Sequence, residues 1–160
     1  MEILGEQAGV RTKGSDSMAG KIRHNYLAIV AAAALYFLVE GVWFTLLLKP
    51  WLAGVGRSMS ELQALQGGHS PAWPYIVASL SALAIAMAMS WVIQAAGPQT
   101  ALHGAEVAAT LWFGFVLTTW ATEYAFEIRG LQTLAINAGF PLVGMVMQGA
   151  LLGAWKAKAT

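Results

Sequence analysis

Tyr26 to Leu48 reads YLAIVAAAALYFLVEGVWFTLLL, twenty-three residues carrying a single charge, Glu40. A helix needs about 20 residues to cross the hydrocarbon core of a bilayer, so this run is long enough to span. Its side chains do not alternate apolar and polar, as those of a barrel strand would. With no water in the hydrocarbon, its backbone groups are all satisfied only in a helix. Lys21 and Arg23 precede the run, as in a signal peptide. The apolar stretch is longer than the roughly 7–15 residues of a signal core, and Glu40 and Trp43 stand where a cleavage site would be sought. We read it as an uncleaved first span.

Three more runs follow. Trp73–Ala96 contains no charge and is closed by Gly97-Pro98, a combination that stops helices. Ala101–Tyr124 starts near His103 and Glu106 and ends against Glu123, Glu127 and Arg129. Leu134–Trp155 is closed by Lys156 and Lys158. The expected fold is an all-α membrane protein, a four-transmembrane-helix bundle occupying 24–156, with helices at about 26–48, 73–96, 101–124 and 134–155. Residues 1–23 are polar and Gly-rich with no apolar period, and are expected to form a disordered cytoplasmic tail; 157–160 form a short C-terminal one.

Composition agrees. The chain is 58% hydrophobic and 11% charged, against roughly 25% charged in an ordinary soluble domain, and its mean hydropathy is +0.59. The absence of cysteine excludes disulfides, thiolate metal sites, iron–sulfur clusters and a cysteine nucleophile. A formal net charge of +1 without a basic stripe gives no reason to expect nucleic acid as a partner.

The longest connection, Lys49 to Pro71, contains Ser58-Met59-Ser60-Glu61. A Ser three residues before a Glu is a capping-box pattern, so a short interfacial helix is expected at about Ser58–Leu65, in the first external loop. Orientation follows the Lys and Arg bias. Arg11, Lys13, Lys21, Arg23, Lys156 and Lys158 flank one side; Lys49, Arg57 and Arg129 flank the other. Six against three puts both termini in the cytoplasm, with Trp51, Trp73 and Trp120 toward the outer interface and Trp91 and Trp155 toward the inner one.

Several segments in this order carry a likeness: Glu40-Gly41-Val42-Trp43-Phe44, Lys49-Pro50-Trp51, Gly114 to Thr119, Tyr124-Ala125-Phe126-Glu127, Ile136 to Phe140, and Gly149 to Trp155. Together with the Ser58–Glu61 cap they resemble the bacterial membrane family known as domain of unknown function 1761, over roughly Tyr26 to Trp155. The resemblance implies a multi-pass protein of the bacterial inner membrane and no particular activity. Two positions depart from the family pattern: Glu123 stands where Asn is common, and Pro141 where His is common.

Glu40 is the most informative residue. A carboxylate within a span is costly, faces the bundle interior and finds a partner there. It reads either as a proton or cation site or ligand anchor, or as a protonated or hydrogen-bonded group that locks packing. Trp43 lies close by on the same helix. Glu123 and Glu127 share a helix face if the third helix reaches that far, Asn137 enters at similar depth from the fourth helix, and Arg129 sits in the turn between. These groups would converge on the outer half of the bundle as a small polar cavity, or remain a solvated helix end with Arg129 pairing a glutamate. His103 and Glu106 are three apart but lack further ligands, so no metal site is expected. With no histidine deep in a span, axial ligation of a haem is not expected either, and no residue set calls for a cofactor.

Gly149 and Gly153 form a GxxxG on the fourth helix, with Gly144 nearby. Small residues let helices approach closely, within a chain or between chains. No nucleophile elbow, phosphate loop or HExxH is present, so no catalytic residues are assigned. The leading expectation is a non-catalytic subunit or interaction partner in a membrane complex, its partners the bilayer and other membrane subunits or itself. The alternatives are a small oligomeric transporter or channel using intramembrane carboxylates, and a membrane enzyme or ligand carrier with an outward-facing pocket.

Overall fold

The computed structural model describes residues 22–67 and 70–157. The expected tail at 1–23 lies outside the described residues except for Ile22 and Arg23, and that at 157–160 except for Ala157. Helix α1 spans Tyr26–Leu46. It begins at Asn25, whose side-chain oxygen accepts the Ala28 N–H (3.1 Å), satisfying one of the amides that a helix start leaves open. The helix stops two residues short of Leu48. Leu47 leaves helical geometry (φ −103°, ψ 15°), and the chain turns into a second helix, α2 (Leu48–Val55).

Within the expected connection, α2 is the element that sequence reasoning missed. Pro50 is its third residue, and proline is tolerated in a first turn because the missing N–H has no partner to lose there. Gly56 ends α2 in the left-handed region at φ +69°, which a residue without Cβ adopts freely. The Arg57 N–H then reaches back to the Leu52 carbonyl (3.4 Å). The expected capping box is fully formed at α3 (Met59–Leu65): the Glu61 N–H donates to Ser58 Oγ (3.3 Å) and the Ser58 N–H donates to Glu61 Oε2 (2.6 Å). The bonds from the Ser58 N–H and hydroxyl hold the Glu61 carboxyl below its ordinary range. No residue of α3 is buried.

The remaining spans are α4 (Trp73–Ala96), a third span from Ala101 to Phe126, and α7 (Leu131–Ala154). The third span consists of α5 (Ala101–Leu111), a π-helical segment (Trp112–Leu117) and α6 (Thr118–Phe126). It runs past Tyr124, and α7 starts one turn before Leu134. All four spans are long and apolar enough to cross a membrane, and large side chains such as Leu27, Leu46, Leu80, Phe113, Phe115 and Leu131 stand exposed on their outer surfaces. So wide an apolar exterior fits a lipid environment. No strand occurs among the described residues.

The hub is α7, which packs on α1, α4 and α5. Of its most apolar window 44% is buried, against 11% for the third span. At the end carrying both termini, the helices meet through small residues. Ala28, Ala32 and Ala33 of α1 are buried along with Ala82 and Ala86 of α4. Gly104 of α5 lies backbone to backbone with Gly149 of α7: a Cβ added at either would strike the other's carbonyl group, and one at Gly149 would also come within 2.8 Å of the Ala108 Cβ. Gly153 is seated in the same way on Thr100. The GxxxG therefore serves packing within the chain, the close approach that small residues permit.

The opposite end is looser. Every buried residue of α4 lies between Ala82 and Ile93, whereas Trp73–Val77 and Ser79–Ser81 are exposed. The first part of α4 thus stands off from α1 and leaves a gap between them. At the far end of the third span, Ile128 occupies the left-handed region (φ 55°). That is an outlier for a β-branched residue, and it lets the Arg129 N–H close back on the Tyr124 carbonyl (3.0 Å).

Candidate functional site

The gap between α1 and α4 opens into three adjoining chambers that all include Glu40. The first, of about 470 Å³, lies between Phe37, Gly41 and Phe44 of α1 and Pro74, Tyr75 and Ala78 of α4. Another, of about 500 Å³, lies deeper along α4 against Trp73, Ser81 and Ile85. The last, of about 380 Å³, reaches the centre of the bundle and is lined from all four spans, among others by Tyr36, Ile85, Trp120, Asn137 and Pro141. The walls are mostly aromatic and aliphatic.

Glu40 is half-buried and has neither a hydrogen bond nor an ion pair to any described residue. With α1 ending at Leu46, it sits about 9 Å inside the helix end at 1.5 Å per residue. Among the described residues, no Lys, Arg or His lines the three chambers. Thr45, beside Glu40, commits its hydroxyl to the Gly41 carbonyl (2.6 Å), a common local bond for Thr in a helix. Tyr36, one turn along α1, is buried and packs edge-on against Phe140 (4.9 Å between ring centroids). Phe44 continues this wall between Phe140 and Trp51, 5.9 Å from each.

Asn137 shares the central chamber with Glu40, but its polar atoms are engaged. Its amide donates to the Tyr124 hydroxyl oxygen, and its Oδ1 accepts the Trp51 indole N–H (3.0 Å). Trp43, expected near a ligand, instead serves the backbone of α7. Its indole N–H donates to the Ile136 carbonyl (3.0 Å), and its ring lies over Gly139, where a Cβ would approach to 3.0 Å. Trp112 donates in turn to the Ala138 carbonyl (2.8 Å). Three indoles therefore grip Ile136, Asn137 and Ala138. Pro141, four residues on, has no N–H for the Asn137 carbonyl; two of the indoles bond the carbonyls on either side of it, and the third bonds the Asn137 side chain.

The other candidates do not join Glu40. Glu123 is exposed and lines none of the chambers. Glu127 and Arg129 pair with each other at 2.6 Å, about half exposed, and the Arg129 guanidinium lies 5.4 Å from the Tyr124 ring centroid. Gly144 makes room for Tyr36: a Cβ there would come within 2.8 Å of its ring. Sequence reasoning missed Tyr36, Phe140 and the residues of α4, because aromatic and small side chains in an apolar run carry no mark of which face they take. It also missed Gln148, fully buried, whose amide donates to the Ala82 carbonyl (3.3 Å).

The arrangement defines a class: a four-span membrane bundle, closed at one end and split at the other by a lateral cleft that exposes a carboxylate. The family can then be stated. A family model described as "Protein of unknown function (DUF1761)" matches residues 27–153, and the chain belongs to that family. No curated protein and no solved structure matches it. Pro141 lines the central chamber and Glu123 stands outside it.

Proposed function

We propose that the protein is a non-catalytic membrane binding protein, a carrier or binding subunit whose lateral cleft takes a hydrophobic guest from the bilayer. The observation that carries this reading is Glu40: a carboxylate within a span, open to an apolar-walled cleft, with no protein partner among the described residues. Intramembrane carboxylates are costly and persist where they meet a partner or serve a site. A concave, mostly apolar pocket with a few polar groups is the usual form of a small-molecule site. The subunit expectation rested in part on small-residue helix faces, and the Gly149 and Gly153 face is occupied within the chain. Lysine and arginine bias supports cytoplasmic termini, which reporter fusions at either terminus would test; the family resemblance supports a bacterial inner membrane.

The test of function is photolabelling of the full-length protein in membranes with a diazirine-bearing alkyl chain, followed by peptide mapping. Binding in the cleft concentrates label on 36–45 and 74–81. Even labelling of all lipid-facing surfaces, Phe113 and Phe115 included, would defeat the reading. A stoichiometric protein co-purifying and shielding 36–45 would return it to a complex subunit.

A further inference from the structure

Resting on the cleft reading, we infer that the guest carries a cationic head, a lipophilic ammonium, with Glu40 as its counterion and the aromatic walls as its bed. Two independent features of the cleft point the same way. First, the sole charged side chain on its walls is an acid, with no Lys, Arg or His lining it among the described residues. A phosphate, sulfate or carboxylate head placed there would meet like charge with nothing to offset it. Second, Tyr36, Phe37, Phe44, Trp73, Tyr75 and Phe140 line the chambers around Glu40. Aromatic faces attract cations, worth about 0.5–1 kcal/mol where exposed and about 2 or more where water is excluded.

The gap opens sideways between α1 and α4, so a guest need not leave the bilayer to enter. Its ammonium would sit about 9 Å inside the end of α1 at the helical rise, with its chain running out toward the lipid. Two sources offer that chemistry: a free lipophilic amine, and the ammonium of an ethanolamine lipid.

The absence of cysteine permits a clean assay. Ala78 lines the cleft opposite Glu40, so Ala78→Cys in the full-length protein provides one thiol to label with a membrane-permeant maleimide. The protein is placed in nanodiscs of phosphatidylglycerol, which has no ammonium. Protection of the thiol is measured with three additives sharing one chain: dodecyltrimethylammonium, dodecyl maltoside and dodecyl sulfate. The comparison is between Ala78→Cys alone and Ala78→Cys with Glu40→Gln, because cations accumulate equally on both anionic nanodiscs. The expected result is that the ammonium protects at about tenfold lower concentration when Glu40 is present, the ratio that corresponds to 1.4 kcal/mol. Dodecyl maltoside protects both proteins alike, which also shows that the Gln variant keeps its cleft. Equal protection by the ammonium with and without Glu40, or protection by dodecyl sulfate as strong as by the ammonium, overturns the charge inference while leaving the cleft reading standing. Failure of all three additives to protect overturns both. Added phosphatidylethanolamine then separates the sources: Glu40-dependent protection identifies the lipid, and its absence alongside protection by the ammonium identifies a free amine.

Discussion

The two ends of the bundle are built on opposite principles. At the end carrying the termini, Ala and Gly bring helices into backbone contact, Gly104 against Gly149 and Gly153 against Thr100, and leave little room between them. At the other end, aromatic side chains line the space between the helices, and the first part of α4 stands off from α1 across the cleft. Packing in a membrane gains nothing from excluding lipid-like surface, so close helix contact depends on van der Waals fit. Where the residues are small the fit closes; where they are large and Glu40 intervenes, a cleft remains. The tight end packs its helices backbone to backbone, and the open end leaves Glu40 half-buried beside a cleft.

The sharpest way to break this contrast is to add bulk at each end. Gly149→Leu should be the most damaging substitution in the protein, since its side chain must enter the Gly104 backbone; overpacking costs about 1–3 kcal/mol or more. Ala78→Leu, placed in the cleft, should leave the melting temperature in detergent nearly unchanged. Equal losses from the two would dissolve the distinction. Next in size is Trp112→Phe, which removes the indole N–H from the Ala138 carbonyl near Pro141 and should cost about 1 kcal/mol. If Trp43→Phe is combined with it, a double-mutant cycle should show coupling, because both indoles serve one disturbed turn of α7.

Ile128→Gly should stabilise by about 1 kcal/mol, the scale of the penalty that an L side chain meets in the left-handed region; no gain in denaturant titration would mean that the strain is compensated locally. Glu40→Gln should leave stability unchanged or raise it, since no described residue pairs with the carboxylate. A clear loss would show that Glu40 locks the packing, the alternative reading of that residue. Arg129→Gln should cost little, under about 1 kcal/mol in denaturant titration, because its pairing with Glu127 is half exposed and screened.

How much of this was legible beforehand differs by kind of feature. The spans were written in apolar runs, because a bilayer imposes a length and a polarity that few residues can disguise. The α3 cap at Ser58 and Glu61 was equally plain, since its bonds lie within four residues. The short helix α2 was hidden because Pro50 reads as a breaker unless its place in a first turn is known. Glu40 announced itself by its charge.

Its surroundings did not. Glu123 carries the same charge and faces outward, and Asn137, expected to take part with Glu40, instead joins Tyr124 and Trp51. Four apolar helices, their order and one anomalous acid among them could be read from the residues alone. That Gly149 and Gly153 are filled from within the chain, that three indoles attend the turn before Pro141, and that α4 parts from α1 beside Glu40 emerged with the folded arrangement. Those outcomes depend on which face each helix turns inward and how closely its neighbours approach, and in a uniformly apolar run no periodicity records either.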